Sequence, residues 1–104
     1  MDSSVRELAK RQADLCRVFG NASRILIVWI LSDRELPVTA IADEVGTSLQ
    51  NISQHLSVLK EYGVVNARRD GQTIYYRISD DEWIGNCPVL LNAPDRTLVK
   101  ESLS

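Results

Sequence analysis

Histidine, cysteine and surplus basic charge are all scarce in this sequence, and each scarcity removes a class of function. His55 is the one histidine, and Cys16 and Cys87 are the two cysteines among 104 residues. Two cysteines so far apart do not make a disulfide scaffold. In a reducing cytosol they are free thiols, a redox pair or part of a metal site. No histidine–carboxylate pairing occurs at a recognisable spacing, and no glycine-rich phosphate loop is present. The chain also lacks room for a substrate domain, so no enzyme, no catalytic residue and no cofactor are expected. The longest apolar run, Ile25 to Leu31, is far too short to span a bilayer. The opening Met-Asp-Ser-Ser-Val has no basic stretch leading into an apolar one, so the expectation is a cytoplasmic protein with no membrane role. A net charge of −2 and a pI near 5.3 count mildly against a nucleic-acid binder. A local basic patch on one face remains compatible with that total.

What is present is an ordinary globular balance, 44% hydrophobic and 25% charged, in a chain long enough for one modest core. Val5 to Phe19 reads as a helix, because Val5, Leu8, Ala9, Gln12, Ala13, Leu15, Cys16 and Phe19 recur at three- and four-residue steps, with Gln12 the one polar intruder. Gly20-Asn21 ends it, and Asn21 caps the next segment, Ala22 to Ser32. That segment is apolar all round its middle, which predicts a helix buried on all sides. Pro37 suits a turn or the first turn of a helix. Val38 to Val45 follows with Ile41, Ala42 and Val45 on one face, closed by Gly46. Ser48 is a good N-cap for a helix over Leu49 to Tyr62, which turns Ile52, Leu56 and Leu59 inward.

From Val64 to Ile78 the period changes from about 3.6 to 2. Asp70-Gly71 sits there between β-prone residues and predicts a two-residue hairpin, with Arg69 opposite Gln72 and Ala67 opposite Ile74. Ser79-Asp80-Asp81-Glu82 has the spacing of a capping box, which predicts a helix starting near Trp83. Pro88 and Pro94 then predict a short or broken helical tail.

The fold class that follows is mainly α with a small β-hairpin, in a single domain over residues 1–104. Its parts are an N-terminal helix at about 5–19, a helix-turn-helix at about 38–62, a wing at about 64–78 and a C-terminal segment at about 80–104. Two helices joined by the tight turn Gly46-Thr47-Ser48 form the helix-turn-helix, and the hairpin forms the wing. The second helix carries short amides and hydroxyls outside its apolar rear, the residue types that reach base edges in the major groove. Candidate DNA contacts are Ser48, Gln50, Asn51, Ser53, Gln54, His55, Ser57 and Lys60, with Arg68, Arg69 and Gln72 at the wing tip. The bland alternative is a merely solvated polar face. For Arg68 and Arg69 the lesser alternative to phosphate contact is edge-strand charge that discourages aggregation. His55 either touches DNA or buttresses the helix.

The segment from Gly46 to Val65, with Ser53-Gln54-His55-Leu56 followed by Leu59 and Gly63, resembles the recognition-helix region of the ArsR family of bacterial and archaeal regulators. The wing Arg68-Arg69-Asp70-Gly71-Gln72, the strand Tyr75-Tyr76-Arg77-Ile78 and the segment Ser23-Arg24-Ile25-Leu26-Ile27 resemble it too, so the likeness covers roughly residues 8 to 79. It implies a winged helix-turn-helix homodimer, joined through its first and last helices, on double-stranded DNA with a near-palindromic operator. It also implies a repressor released by an effector that the residues do not identify. The family's familiar metal sites lack their ligands here. The stretch Leu36-Pro37-Val38-Thr39-Ala40 has no cysteine, and Asp80, Asp81 and Glu82 have no histidine beside them, so no metal site is expected. The resemblance places Cys16 and Cys87 near the dimer interface, where they are candidates for a redox, reactive-sulfur or thiophilic-metal switch. Against this, Cys16 lies on an apolar stripe and is a candidate for simple core packing. A winged-helix module that docks other proteins without specific DNA binding is the rival reading.

Overall fold

The structure, a computed structural model, describes residues 2–81, 84, 87–91 and 93–94. Helix α1 (Ser3–Val18) starts where the Asp2 carboxylate accepts the Ser4 N–H at 3.1 Å. Helix α2 (Ala22–Ile30) starts where the Asn21 side chain accepts the Arg24 N–H at 3.2 Å. Each cap satisfies a backbone donor that the helix itself leaves orphaned. Strand β1 (Leu36–Pro37) leads into α3 (Val38–Val45), and α4 (Leu49–Glu61) follows. Strands β2 (Val65–Asp70) and β3 (Thr73–Ile78) form the hairpin, and Pro88–Leu91 forms a one-turn helix, α5.

The turn between α3 and α4 depends on Gly46, whose φ of +81° is open to glycine at little cost. From that conformation its N–H and the Thr47 N–H both reach the Ala42 carbonyl, at 2.8 and 3.2 Å. This closes α3 and aims the chain directly into α4. The Ser48 hydroxyl then accepts the Asn51 N–H at 3.1 Å and opens α4.

Ile52, Leu56 and Leu59 of α4 are fully buried against Ile27, Val28 and Leu31 of α2 and its end, Ile41 and Ala42 of α3, and Val64 and Val65. One core thus unites the three helices behind the turn with the root of the hairpin. Its integrity sets where the outward face of α4 points. Two features lie off this core. The first three turns of α1 are exposed on every side, with Val5 46% and Leu8 43% accessible. Helix α2 is not buried all round as its composition suggests, for Ile25, Leu26 and Trp29 are half-buried. The Trp29 indole N–H donates to the Val89 carbonyl at 2.9 Å, which ties α5 to α2.

The sheet corrects two expectations. It has three strands, in the order β1-β3-β2, all antiparallel. β1 escapes a pattern-based reading because it is two residues long and contains Pro37, which tolerates only an edge. The hairpin register also differs. Asp70 pairs with Thr73, Arg69 with Ile74 and Ala67 with Tyr76, so the two-residue loop is Gly71-Gln72 rather than Asp70-Gly71. Gly71 has φ +64° and Gln72 does not have positive φ, the sign pattern of a II′ turn with glycine first. The shift moves each partner by two residues, so the assignment of side chains to faces survives. Of the capping box, Ser79 acts locally, its hydroxyl accepting the Asp81 N–H at 3.2 Å. The helix expected near Trp83 lies outside the described residues.

Candidate nucleic-acid interface

With Ile52, Leu56 and Leu59 facing inward, α4 turns Gln50, Asn51, Ser53, Gln54, Ser57 and Lys60 to solvent. These six of the expected residues are therefore exposed along one helix. Not every member is free to bind. The Ser48 hydroxyl is occupied as the N-cap, and the Asn51 amide donates to the Thr47 hydroxyl at 3.1 Å. Those two groups shape the tip of the helix, while Gln50, Ser53, Gln54 and Ser57 offer donors and acceptors along it.

His55 stands apart from these exposed residues. It is half-buried, and its pKa lies below its ordinary value, first because burial penalises the imidazolium and second because the Arg24 guanidinium is near. Arg24 comes from the first turn of α2, and its Nε is buried without a hydrogen-bond partner. Two potential cations thus crowd one side of α4. This fits His55 as a neutral buttress of the helix more closely than as a charged phosphate ligand.

The wing differs from expectation in its charges. Arg68 and Arg69 are neighbours on β2, so their side chains leave on opposite faces. The Arg68 guanidinium meets the Glu35 carboxylate, with Nη2 at 2.6 Å and Nε at 2.8 and 2.9 Å from its oxygens. It also lies 4.8 Å from the centre of the Tyr75 ring, its cross-strand partner. The same contact lowers the Glu35 pKa, the Arg68 hydrogen bond being the largest cause. Arg69 and Gln72 are exposed, and no ion pair holds Arg69 among the described residues. Among the described residues of α4 and the wing, the cations outside any ion pair are therefore Lys60 and Arg69 rather than two adjacent arginines. Sequence reasoning missed Glu35 because it reaches Arg68 only through β1, which pairs with Tyr75 and Tyr76.

The two cysteines are both free thiols in very different settings. Cys16 is exposed on α1, so it does not fill the core, whereas Cys87 is buried. No helix among the described residues is long and apolar enough to cross a membrane.

Against known proteins, a model of the "Helix-turn-helix domain" matches residues 19–68, from the end of α1 to the middle of β2. The transcriptional regulator KmtR of Mycobacterium tuberculosis is 38% identical over 68 residues, covering 65% of this chain and 52% of KmtR. The nodulation protein NolR of Rhizobium meliloti is 43% identical over 75 residues, covering 72% of this chain and 62% of NolR. The chain thus spans between half and two thirds of the length of these two relatives. Among solved structures, the homodimeric winged helix-turn-helix DNA-binding domain of Mb0332 from Mycobacterium bovis, a possible ArsR-family transcriptional regulator, superposes with a TM-score of 0.74. It is 31% identical, and the match covers 99% of this chain and 91% of that domain. The similarity extends through both helices of the turn and through the hairpin, the elements that set the geometry described above. On these grounds the chain belongs to the ArsR family of winged helix-turn-helix transcriptional regulators.

Proposed function

We propose that this protein is a homodimeric, sequence-specific duplex-DNA-binding repressor, with α4 in the major groove and the wing beside the backbone. The observation that carries this reading is the outward face of α4. It presents amides and hydroxyls of Gln50, Ser53, Gln54 and Ser57 on a helix whose rear is locked by three fully buried side chains. Polar side chains on a rigid helix are what base-edge recognition requires, since the groove distinguishes base pairs by donor and acceptor pattern. Lys60 and Arg69 are the side chains assigned to phosphates, with Gln72 at the wing tip.

The exposed first turns of α1 support the dimer. A helix with Val5 and Leu8 open to water has an apolar stripe that a second copy of α1 can cover. A two-fold dimer places two copies of α4 about one turn of DNA apart, which calls for a near-palindromic operator. Release by an effector belongs to the same reading. Cys16 is the accessible thiol and Cys87 the buried one, so a thiophilic or oxidising effector meets Cys16 first.

One observation favours the rival reading of a protein-docking module. Glu35 neutralises Arg68, which lowers the positive potential of the wing. A selection of bound duplexes from a random library, followed by anisotropy titrations across a salt series, separates the two. Specific binding whose affinity falls steeply with salt supports the repressor. Failure to enrich any duplex, at low salt and with the full chain, leaves the docking module.

A further inference from the structure

Four large apolar side chains are exposed among the described residues: Val5 and Leu8 on α1, Ile74 on the wing, and Leu49 on α4. The first two belong to the helix assigned above to dimerisation. Leu49 is 50% accessible, the most exposed of the four, and it is the first residue of α4. It sits three residues before Ile52, so it continues the apolar stripe of the helix past the last residue that the core covers. Helical side chains tilt toward the N-terminus, which carries the Leu49 isobutyl group off the end of α4 rather than back onto Ile52.

The polar groups around it are partly spent. The Ser48 hydroxyl holds the Asn51 N–H, and the Asn51 amide holds the Thr47 hydroxyl. At the leading tip of α4 this leaves the Gln50 amide and the Leu49 hydrocarbon to face a ligand. In a helix-turn-helix the N-terminal residues of the second helix are the ones that meet base edges. The major groove offers a single apolar feature, the C5 methyl of thymine.

Resting on the DNA-binding reading, we infer that Leu49 is a specificity-determining residue that packs against a thymine methyl at one position of each half-site. The chemistry discriminates thymine from cytosine at that position by a methyl contact, independently of any hydrogen bond. Gln50 beside it supplies donor and acceptor to the same or the neighbouring base pair.

The test uses the full chain and a duplex selected by it from a random library. Each thymine is replaced singly by deoxyuridine, which removes the methyl and leaves pairing intact. One thymine per half-site is expected to weaken binding by about fourfold when its methyl is lost, the worth of one buried methyl-sized group. Leu49→Ala is expected to bind more weakly and to be indifferent to the same replacement, so the two losses are not additive. Leu49→Met is expected to restore the sensitivity. Leu49 is exposed and alanine is a good helix former, so the urea midpoint of Leu49→Ala should match the parent chain. A scan with no sensitive thymine overturns the inference while leaving the DNA-binding reading in place. A sensitive thymine that remains sensitive in Leu49→Ala overturns it as well. If the chain enriches no duplex, the DNA-binding reading falls and the inference falls with it.

Discussion

The recognition helix and the wing both carry exposed polar side chains but hold them by different means. Helix α4 fixes its outward face from behind, through Ile52, Leu56 and Leu59, each fully buried. The wing fixes Arg68 from the side, through Glu35 and the Tyr75 ring, in a pair that is open to solvent. Burial of apolar area has no charge to be screened and no proton to lose. An exposed ion pair is sensitive to salt and to pH and contributes modestly to stability. The two halves of the candidate interface should therefore fail under different conditions, and perturbations can be chosen to separate them.

The largest expected effect comes from the rear of α4. Leu56→Ala removes a fully buried side chain from the centre of the core and should cost about 2–5 kcal/mol. Against a typical domain stability of about 5–15 kcal/mol this is severe. The urea midpoint is expected to drop, and any DNA affinity is expected to fall with the folded fraction. A variant that kept its midpoint would mean that α4 is not positioned by the core.

Next in size is the outward face. Gln54→Ala leaves the core untouched and should cost about 1–3 kcal/mol in binding to a selected duplex, with relaxed preference at one base pair. Its urea midpoint is expected to stay with the parent. An equal loss on specific and random duplexes would instead mark Gln54 as a backbone contact.

The wing supplies a smaller and sharper test. Arg69→Ala is expected to reduce the salt slope of DNA binding by about one, the signature of a lost phosphate contact. Arg68→Ala should reduce it less, because Glu35 already neutralises that charge. Glu35→Gln should raise the slope and the affinity by freeing Arg68. If Arg68 and Arg69 prove equal, the Glu35 pair does not survive contact with DNA.

The same contrast explains what was legible in the sequence. The helices of the turn are local objects: their apolar spacing, Asn21 and Ser48 caps and the Gly46 stop are all written within a few residues. The core stripe of α4 follows from a period alone. The wing is not local. Its third strand is two residues long, and the pair it delivers joins residues that the chain separates by a whole helix-turn-helix. The Asp70-Gly71 signal marked the hairpin but not its register, because a glycine can lead a II′ loop as well as follow Asp in a I′ loop. The chosen register sets Arg68 across from Tyr75, where the ring contact forms. Exposure is likewise a tertiary property. Cys16 keeps helical step with Gln12 and Phe19 yet lies open, on a helix whose first turns are exposed among the described residues.

The smallest expected effect separates the two regions by pH. His55 has its pKa lowered from the ordinary 6.5, chiefly by burial and then by Arg24. Below pH 6.5 the unfolded chain takes up this proton before the folded one does, so stability falls as pH drops through the window beneath 6.5. Glu35 is also lowered, from 4.5, by the Arg68 hydrogen bond. Its contribution is intact above 4.5 and is lost as pH falls further, through its own lowered value. Thermal midpoints measured from pH 8 down to 3 should thus decline in two stages, the first carrying His55 of α4 and the second carrying Glu35 beside the wing together with the Asp2 cap of α1. His55→Gln is expected to flatten the first stage alone and Glu35→Gln to diminish the second alone. A first stage that persists in His55→Gln would assign it to another group, and the neutral imidazole would then lose its part in supporting the recognition helix.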